Sequence, residues 1–346
     1  MTDLTKKFFI ASLAVNQDCE DVFLLIAAEL RHTARQDPYL LLTLGDKSGD
    51  MRAFLWSNSA SSPEKLHGRL APGDVVRVSG SVRAYRQCLQ IDVKHLEKVK
   101  KADVPDSLLK ELIRSTRFAV ADLEEALHAA IASITDPFLR ELLQLMLADT
   151  ERHILQRLRV MPAAQKIHHN FRGGLLEHTV NLLKLAASLE AAAVYPDLNW
   201  SLIKAGVILH DIGKVYELSE NDSGVPEYTS MGRLLGHIYI GSRLVDSYIG
   251  KVKNFPASLR LQLIHTILSH HGKREWGSPV DMHLPEAVVL HHLDLLDAAM
   301  GHYQNIMAAT HASPGQVTDR GDSVLRRMFY IPLATNTDPE PEDPRR

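Results

Sequence analysis

Near residue 103 the spacing of apolar residues changes period, and this change constrains the fold more than any other feature of the chain. Ahead of it, apolar residues come in the short runs and alternations of strands; behind it they recur at the three- and four-residue intervals of helices. In the front part, YLLLTLGDKSGDMRAFLW divides around a polar, glycine-containing break, as a hairpin requires. Met51, Ala53 and Leu55 alternate there with Arg52, Phe54 and Trp56, so one set faces inward and the other outward; the pattern leaves open which. FFIASLAV predicts a first strand, SSPEKLHGRLAPGD a loop with a short helix, and VVRVSGSVRAYRQCLQIDV a strand–turn–strand around Gly80. About five strands with a helical insertion predict a small closed β-barrel, OB or SH3-like by spacing alone.

Behind the change, VPDSLLKELIRSTRFAVADLEEALHAAIASI, DPFLRELLQLMLADTERHILQRL and five further segments carry helical spacing, with Asp136-Pro137 marking a helix start. The expected fold is therefore multidomain, a small all-β barrel over residues 1–100 and an all-α helical bundle over 161–330. Residues 101–160 form a helical connector, and the proline-rich, charged 331–346 a disordered tail.

Charge and histidine are distributed unevenly between the two parts. Through residue 101 there are 15 Lys and Arg against 12 Asp and Glu; beyond it, 24 against 30. A mildly basic module ahead of an acidic one suits a nucleic-acid-holding front end. Of 18 histidines, 15 follow residue 101, so metal or proton chemistry belongs there. No apolar run reaches the ~18 residues of a membrane span, and the N-terminal apolar stretch, interrupted by Ser12 and Asn16, lacks a cleavage site. Cys19 and Cys88 have no CxxC partner, which leaves them as reduced structural thiols. A cytoplasmic location is expected.

The candidate chemistry centres on LHDIGK, where His210 and Asp211 end an apolar helix. Asp211 can bridge two cations, His210 can offer a neutral nitrogen, Gly213 lets the chain turn away, and Lys214 presents a cation to an approaching anion. One His-Asp pair at a helix end is more often just a dipole-matched terminus. Here, however, His178 shares the apolar face of GLLEHTVNLL, His237 starts the helix of LLGHIYIG, His270 and His271 end LIHTILSHH, and Asp294 lies inside the apolar VVLHHLDLLDAAM. An unpaired aspartate in such a helix would cost several kcal/mol, which a divalent cation offsets.

The ordered series His178, His210-Asp211, Asp294 resembles the H…HD…D signature of the HD-domain metalloenzymes, and His237 with His270-His271 resembles the subset that holds two metals. The resemblance implies one ion on His178, His210, Asp211 and Asp294, and a second on Asp211, His237 and one or both of His270 and His271. Asp297 is the second choice for the Asp294 ligand. The imidazoles favour manganese or iron over magnesium.

The front end resembles an OB-fold of the tRNA-anticodon-binding type. Phe54, Trp56 and Tyr85, with Arg52, Arg83 and Arg86, become candidates for stacking bases and following phosphates. The order barrel, connector, HD domain is similar to the YhaM-type 3′→5′ exoribonucleases over nearly the whole chain, in KIHHNFRGGLLEHT, HDIGKVYELSENDSGVPEYTSMGRLLGHI, LSHHGKREWGSPV and RRMFYIP. That likeness implies hydrolysis of single-stranded RNA, with single-stranded DNA as a second polymer, to nucleoside 5′-monophosphates by water that two divalent ions activate. Asp211 and Lys214 would be catalytic, and His168, His169, Arg172, Lys214 and Arg233 would contact substrate. It is compatible with a homo-oligomer and involves no membrane. Two alternatives remain: an HD phosphodiesterase of a cyclic or signalling nucleotide, and a non-catalytic single-strand-binding factor. The first lacks Gly-Tyr-Pro after the histidine pair; the second has no use for a full ligand set.

Overall fold

The structure, a computed structural model, describes residues 4–57, 62–85, 88–164, 169–221, 224–309, 315–318 and 328–332. Two compact units are present, one of residues 1–112 with the segment from 303 onward, the other of residues 113–302.

The first unit is built on five strands: β1 (Asp18–His32), β2 (Pro38–Asp46), β3 (Gly49–Trp56), then helix α1 (Pro63–His67), β4 (Val75–Tyr85) and β5 (Cys88–Lys98). They close in the order β1-β2-β3-β5-β4, with β3 and β5 parallel and every other pair antiparallel. Period-two alternation drives closure, since Leu40, Leu42, Leu44, Ala53, Leu55, Val76, Val78 and Ile91 all point inward and are fully buried. At Gly80 a Cβ would lie 2.3 Å from the Asp92 carbonyl oxygen, so only glycine lets β4 approach β5 there.

The expected first strand over residues 8–15 is not one. Ile10–Ser12 is a single 3₁₀ turn, and the first strand begins at Asp18. The reason is where the backbone donors go: Lys7 and Phe8 N–H donate to Asp21 Oδ2 (2.9 and 2.6 Å), and Ile10 N–H to Asp46 Oδ2 (2.8 Å). Lys6 Nζ lies 3.6 and 3.3 Å from the same two carboxylates. Carboxylates thus take the place of a ladder partner, while Ile10 and Leu13 still reach the core.

The connecting segment carries α2 (Asp106–Leu112). The second unit follows with α3 (Val120–Ala132), α4 (Pro137–Leu147), α5 (Ile154–Leu158), α6 (Gly174–Ala191), α7 (Trp200–Leu209), α8 (Lys214–Glu217), a two-stranded hairpin of β6 (Leu218–Glu220) and β7 (Pro226–Tyr228), α9 (Ser230–Ile249), α10 (Ala257–Ser269) and, as far as His302, α11 (Pro285–Ala309). The hairpin is the one sheet among the described residues of this unit and departs from an all-helical reading. Asp136 starts α4 as expected, its Oδ1 accepting from Phe138 and Leu139 N–H at 2.9 and 3.0 Å. The helix α7 is buried on every side from Ser201 to Leu209, which explains its continuous apolar run and carries His210 into the interior. Residues 333–346, most of the expected tail, lie outside the described residues.

Candidate metal centre

Five helices deliver their histidines and aspartates to one place: His178 from α6, His210 and Asp211 from the end of α7, His237 from α9, His270 and His271 from the end of α10, and Asp294 from α11. Glycines set the approach. A Cβ on Gly213 would stand 2.0 Å from the His237 carbonyl oxygen and 2.7 Å from Gly241 N. Gly213 is therefore needed for contact with α9, not for a turn, since its φ of −63° is ordinary helix. Within α9, Gly236 breaks the helix at φ 71°, ψ 155° and aims His237 inward.

Each imidazole has its Nδ1 engaged. His178 Nδ1 meets Asp297 Oδ2 at 2.7 Å, His210 Nδ1 the Val207 carbonyl at 2.8 Å, His237 Nδ1 the Glu217 carboxylate at 3.2 Å, His270 Nδ1 the Ile267 carbonyl at 2.8 Å, and His271 Nδ1 the Trp276 carbonyl at 2.7 Å. An acceptor at Nδ1 puts the ring proton there and leaves Nε2 as a lone-pair donor. The Nε2 atoms converge: those of His210, His237 and His270 lie 3.4, 3.4 and 3.8 Å from Asp211 oxygens, and His178 Nε2 lies 3.2 Å from Asp294 Oδ1.

Three groups among the described residues have ligand atoms mutually within 4.8 Å: His178 with His210 and Asp211, His237 with His270 and His271, and, behind the centre, His169 with His178 and Asp297. The Nε2 atoms of His210, His237 and His270 and Asp211 Oδ1 are buried without a hydrogen-bond partner. Buried polar atoms left this way are costly unless a further group satisfies them, and a divalent cation fits this donor set. Lys214, His210 and His237 overcome the effect of burial and hold the Asp211 carboxyl well below the usual range. Burial, reinforced by neighbouring histidines, lowers His270 and His271 and keeps them neutral. His178 goes the other way: against its burial, hydrogen bonds to Asp294 and Asp297 raise it to about 9, so without a cation its Nε2 carries a proton, which a bound metal would have to displace.

The remaining candidates fall in varied places. Asp297 is engaged by three donors, His178, His169 (2.9 Å) and Asn181 (3.1 Å), which makes it a support for His178 and leaves Asp294 facing the centre. His169 is buried between Asp297 and Glu177, and His168 lies outside the described residues. Lys214 Nζ is 2.6 Å from Asp211 Oδ2 and also donates to the Ala163 carbonyl, so it is tied inward. Arg172 pairs with Glu220 at 3.0 Å, and Arg233 is exposed over the Tyr228 ring. Glu217, which grips both the N–H and the ring of His237, escaped the sequence reading because nothing in its spacing separates it from a surface glutamate.

On the barrel, Met51, Ala53 and Leu55 face inward and Arg52, Phe54 and Trp56 outward. Tyr39, unremarked in the sequence, joins them across the β2–β3 register. Its ring lies 5.0 Å from Trp56 and 6.2 Å from Phe54, and Phe54 and Trp56 stack at 5.6 Å. Arg83 hydrogen-bonds Asn16 at 3.2 Å, Tyr85 is exposed, and Arg86 lies outside the described residues.

Known proteins give this arrangement its relatives. A family described as HD domain matches residues 175–299, and one described as OB-fold nucleic acid binding domain matches residues 25–99. The second OB-fold domain of replication protein A from Methanococcus maripaludis is 23% identical, covering 27% of this chain and 95% of that one, and the protein PriB from Ralstonia solanacearum is 21% identical, covering 25% and 100%. Their TM-scores, 0.22 and 0.21, are too low to carry an argument. The protein named 3′-5′ exoribonuclease YhaM from Geobacillus sp. (strain WCH70) is 35% identical over 320 residues, 90% of this chain and 92% of its own. With an OB-fold barrel ahead of an HD domain and this identity over both, the chain belongs to the YhaM family.

Proposed function

We propose that the protein is a metal-dependent 3′→5′ exoribonuclease. It shortens single-stranded RNA, and single-stranded DNA as a second substrate, to nucleoside 5′-monophosphates. The observation that carries the metal chemistry is the convergence of buried, unsatisfied Nε2 atoms on Asp211; the polymer substrate rests on the family and the barrel. His178, His210, Asp211 and Asp294 would hold one cation, and Asp211, His237, His270 and His271 a second, with manganese or iron favoured by the imidazoles. When bound, divalent ions supply acidification of water and neutralisation of phosphoryl charge.

The chain's own groups do the rest. Asp211 stays ionised between Lys214 and the histidines, so it keeps its charge for cations at neutral pH. Lys214 fixes that carboxylate and anchors the 163 carbonyl, which holds the segment before α6 against the centre. The outward Phe54, Trp56 and Tyr39 rings, with Arg52 beside them, suit bases of a single strand irrespective of sequence. No helix among the described residues is long and apolar enough to cross a membrane. We place the enzyme in the cytoplasm, in keeping with its two free thiols, and a homo-oligomer is compatible with the reading.

The test is to incubate the purified protein with 3′- and 5′-labelled RNA and DNA and Mn²⁺. A 3′ label should emerge as mononucleotide and a 5′ label as a descending ladder. Asp211→Ala should abolish hydrolysis and spare single-strand binding. Hydrolysis of cyclic dinucleotides without RNA shortening, or strand affinity with neither bound metal nor cleavage, would overturn the proposal.

A further inference from the structure

The turn after His270-His271 carries chemistry that the metal centre does not use. Trp276 N–H donates to the Lys273 carbonyl at 3.0 Å, Gly277 N–H to Arg274 at 2.9 Å, and Ser278 N–H to Lys273 at 3.2 Å. Gly277 closes the turn at φ 100°, a conformation other residues rarely adopt. One atom ties the turn to the centre, the Trp276 carbonyl that accepts from His271 Nδ1. The His271 ring is in turn 4.4 Å from His270 and 5.2 Å from His237.

The indole is left outside. Trp276 is 48% exposed, whereas Trp200, in the same unit, packs against the core. Lys273 Nζ stands 4.5 Å from the Trp276 ring centroid, and the His291 ring lies 6.2 Å away, tilted 35°. The exposed indole offers a flat apolar face with a polar N–H at its edge, and rings displayed this way are suited to contact with a flat partner. A nucleobase is such a partner, and a neighbouring ammonium suits the phosphate it carries.

We infer that Trp276 and Lys273 form the subsite for the terminal nucleotide, the indole stacking on its base and the Lys273 ammonium moving from the ring to a phosphate oxygen. This rests on the proposed single-strand substrate. Because every base has a stacking face, the subsite grips without sequence preference. One residue then serves both parts of the reaction, its ring meeting the base and its carbonyl orienting a metal-site histidine.

The double variant W56F/W200F leaves Trp276 as the sole tryptophan. Titrated in EDTA, its fluorescence should be quenched saturably by adenosine 5′-monophosphate and not by ribose 5-phosphate, and K273A in that background should weaken the mononucleotide. In the otherwise native enzyme, W276A should lower kcat/KM on RNA by about 5- to 150-fold, mostly through KM. W276F should restore most of it, with metal content unchanged throughout. No quenching by the mononucleotide, equal quenching by ribose 5-phosphate, a W276A kcat/KM within twofold of native, or loss of metal in W276A would each overturn the subsite. Quenching by the mononucleotide in a protein that fails to shorten RNA would support the subsite and defeat the exoribonuclease reading instead.

Discussion

Gly236 offers a sharp test of how His237 is held. At φ 71°, ψ 155° it occupies a region that alanine enters at a cost of order 1–3 kcal/mol, and an added Cβ would meet nothing within 4 Å. The penalty of Gly236→Ala is therefore backbone strain alone, which the chain could shed by straightening α9. Straightening would pull His237 off Glu217, breaking the N–H bond at 2.9 Å and the ring bond at 3.2 Å. Hydrogen bonds to a charged group contribute about 1.5–3 kcal/mol each, so two of them outweigh the strain. The kink should persist. The variant should lose about 1–3 kcal/mol of stability, a fall in Tm of roughly 2–12 °C for a unit this size, and keep its metal affinity within a few-fold. Thermal unfolding in EDTA and metal titration against a competing chelator read the two quantities separately. Adding Glu217→Ala should let the chain straighten and make metal affinity fall. Gly250→Ala, at a helical φ of −61° with its nearest contact at 3.8 Å, should be close to neutral. A native Tm in Gly236→Ala, or a tenfold loss of metal affinity with no change in Tm, would refute the reasoning.

Asp297→Ala should weaken the cation held through His178 by about 10–100-fold, as loss of an orienting carboxylate does, and Asp294→Ala should cost more. Metal titration of both variants checks this, and equal affinity of Asp297→Ala and native protein would mean that packing alone orients His178. In the barrel, burial, aided by the Asp21 charge, pushes the Cys19 thiol from 9.0 up to about 11. The unfolded chain ionises first, so the stability tied to this thiol is intact below pH ~9 and lost as pH rises towards ~11. Denaturant unfolding of native and Cys19→Ala protein across that range should show the native advantage shrinking; parallel profiles would contradict the assignment.

Much of this architecture was legible in the residues, and what was not has physical causes. Helical spacing placed His178, His210, His270 and Asp294 on or at the ends of apolar helices, where the structure has them, because burial of one face dictates both the spacing and the position. FFIASLAV misled because its apolar residues do reach the barrel core, while its backbone donors are taken by Asp21 and Asp46, far off in sequence. The split between Asp294 and Asp297 could not be read from residues three apart on one helix; it depends on which histidine nitrogen each one meets. The acceptors that orient His210 and His270 are main-chain carbonyls three residues earlier, and carbonyls leave no mark in a sequence. Tyr39 emerged only from the cross-strand register with Trp56.

Gly213 and Gly241 meet main chain to main chain, and this has a consequence for how the centre can vary. The separation of Asp211 from His237 is written in the polypeptide itself, with no side chain between them to act as an adjustable spacer. Exchanging packing residues around the centre can change its polarity or its access to solvent, yet cannot close that gap past the main-chain contact. Selection for a smaller ion is then denied the route of shrinking the cage at this crossing. It must operate through the electronic character of the donors, and a histidine exchanged for a carboxylate would shift the preferred ion more readily than any remodelling of the packing around it.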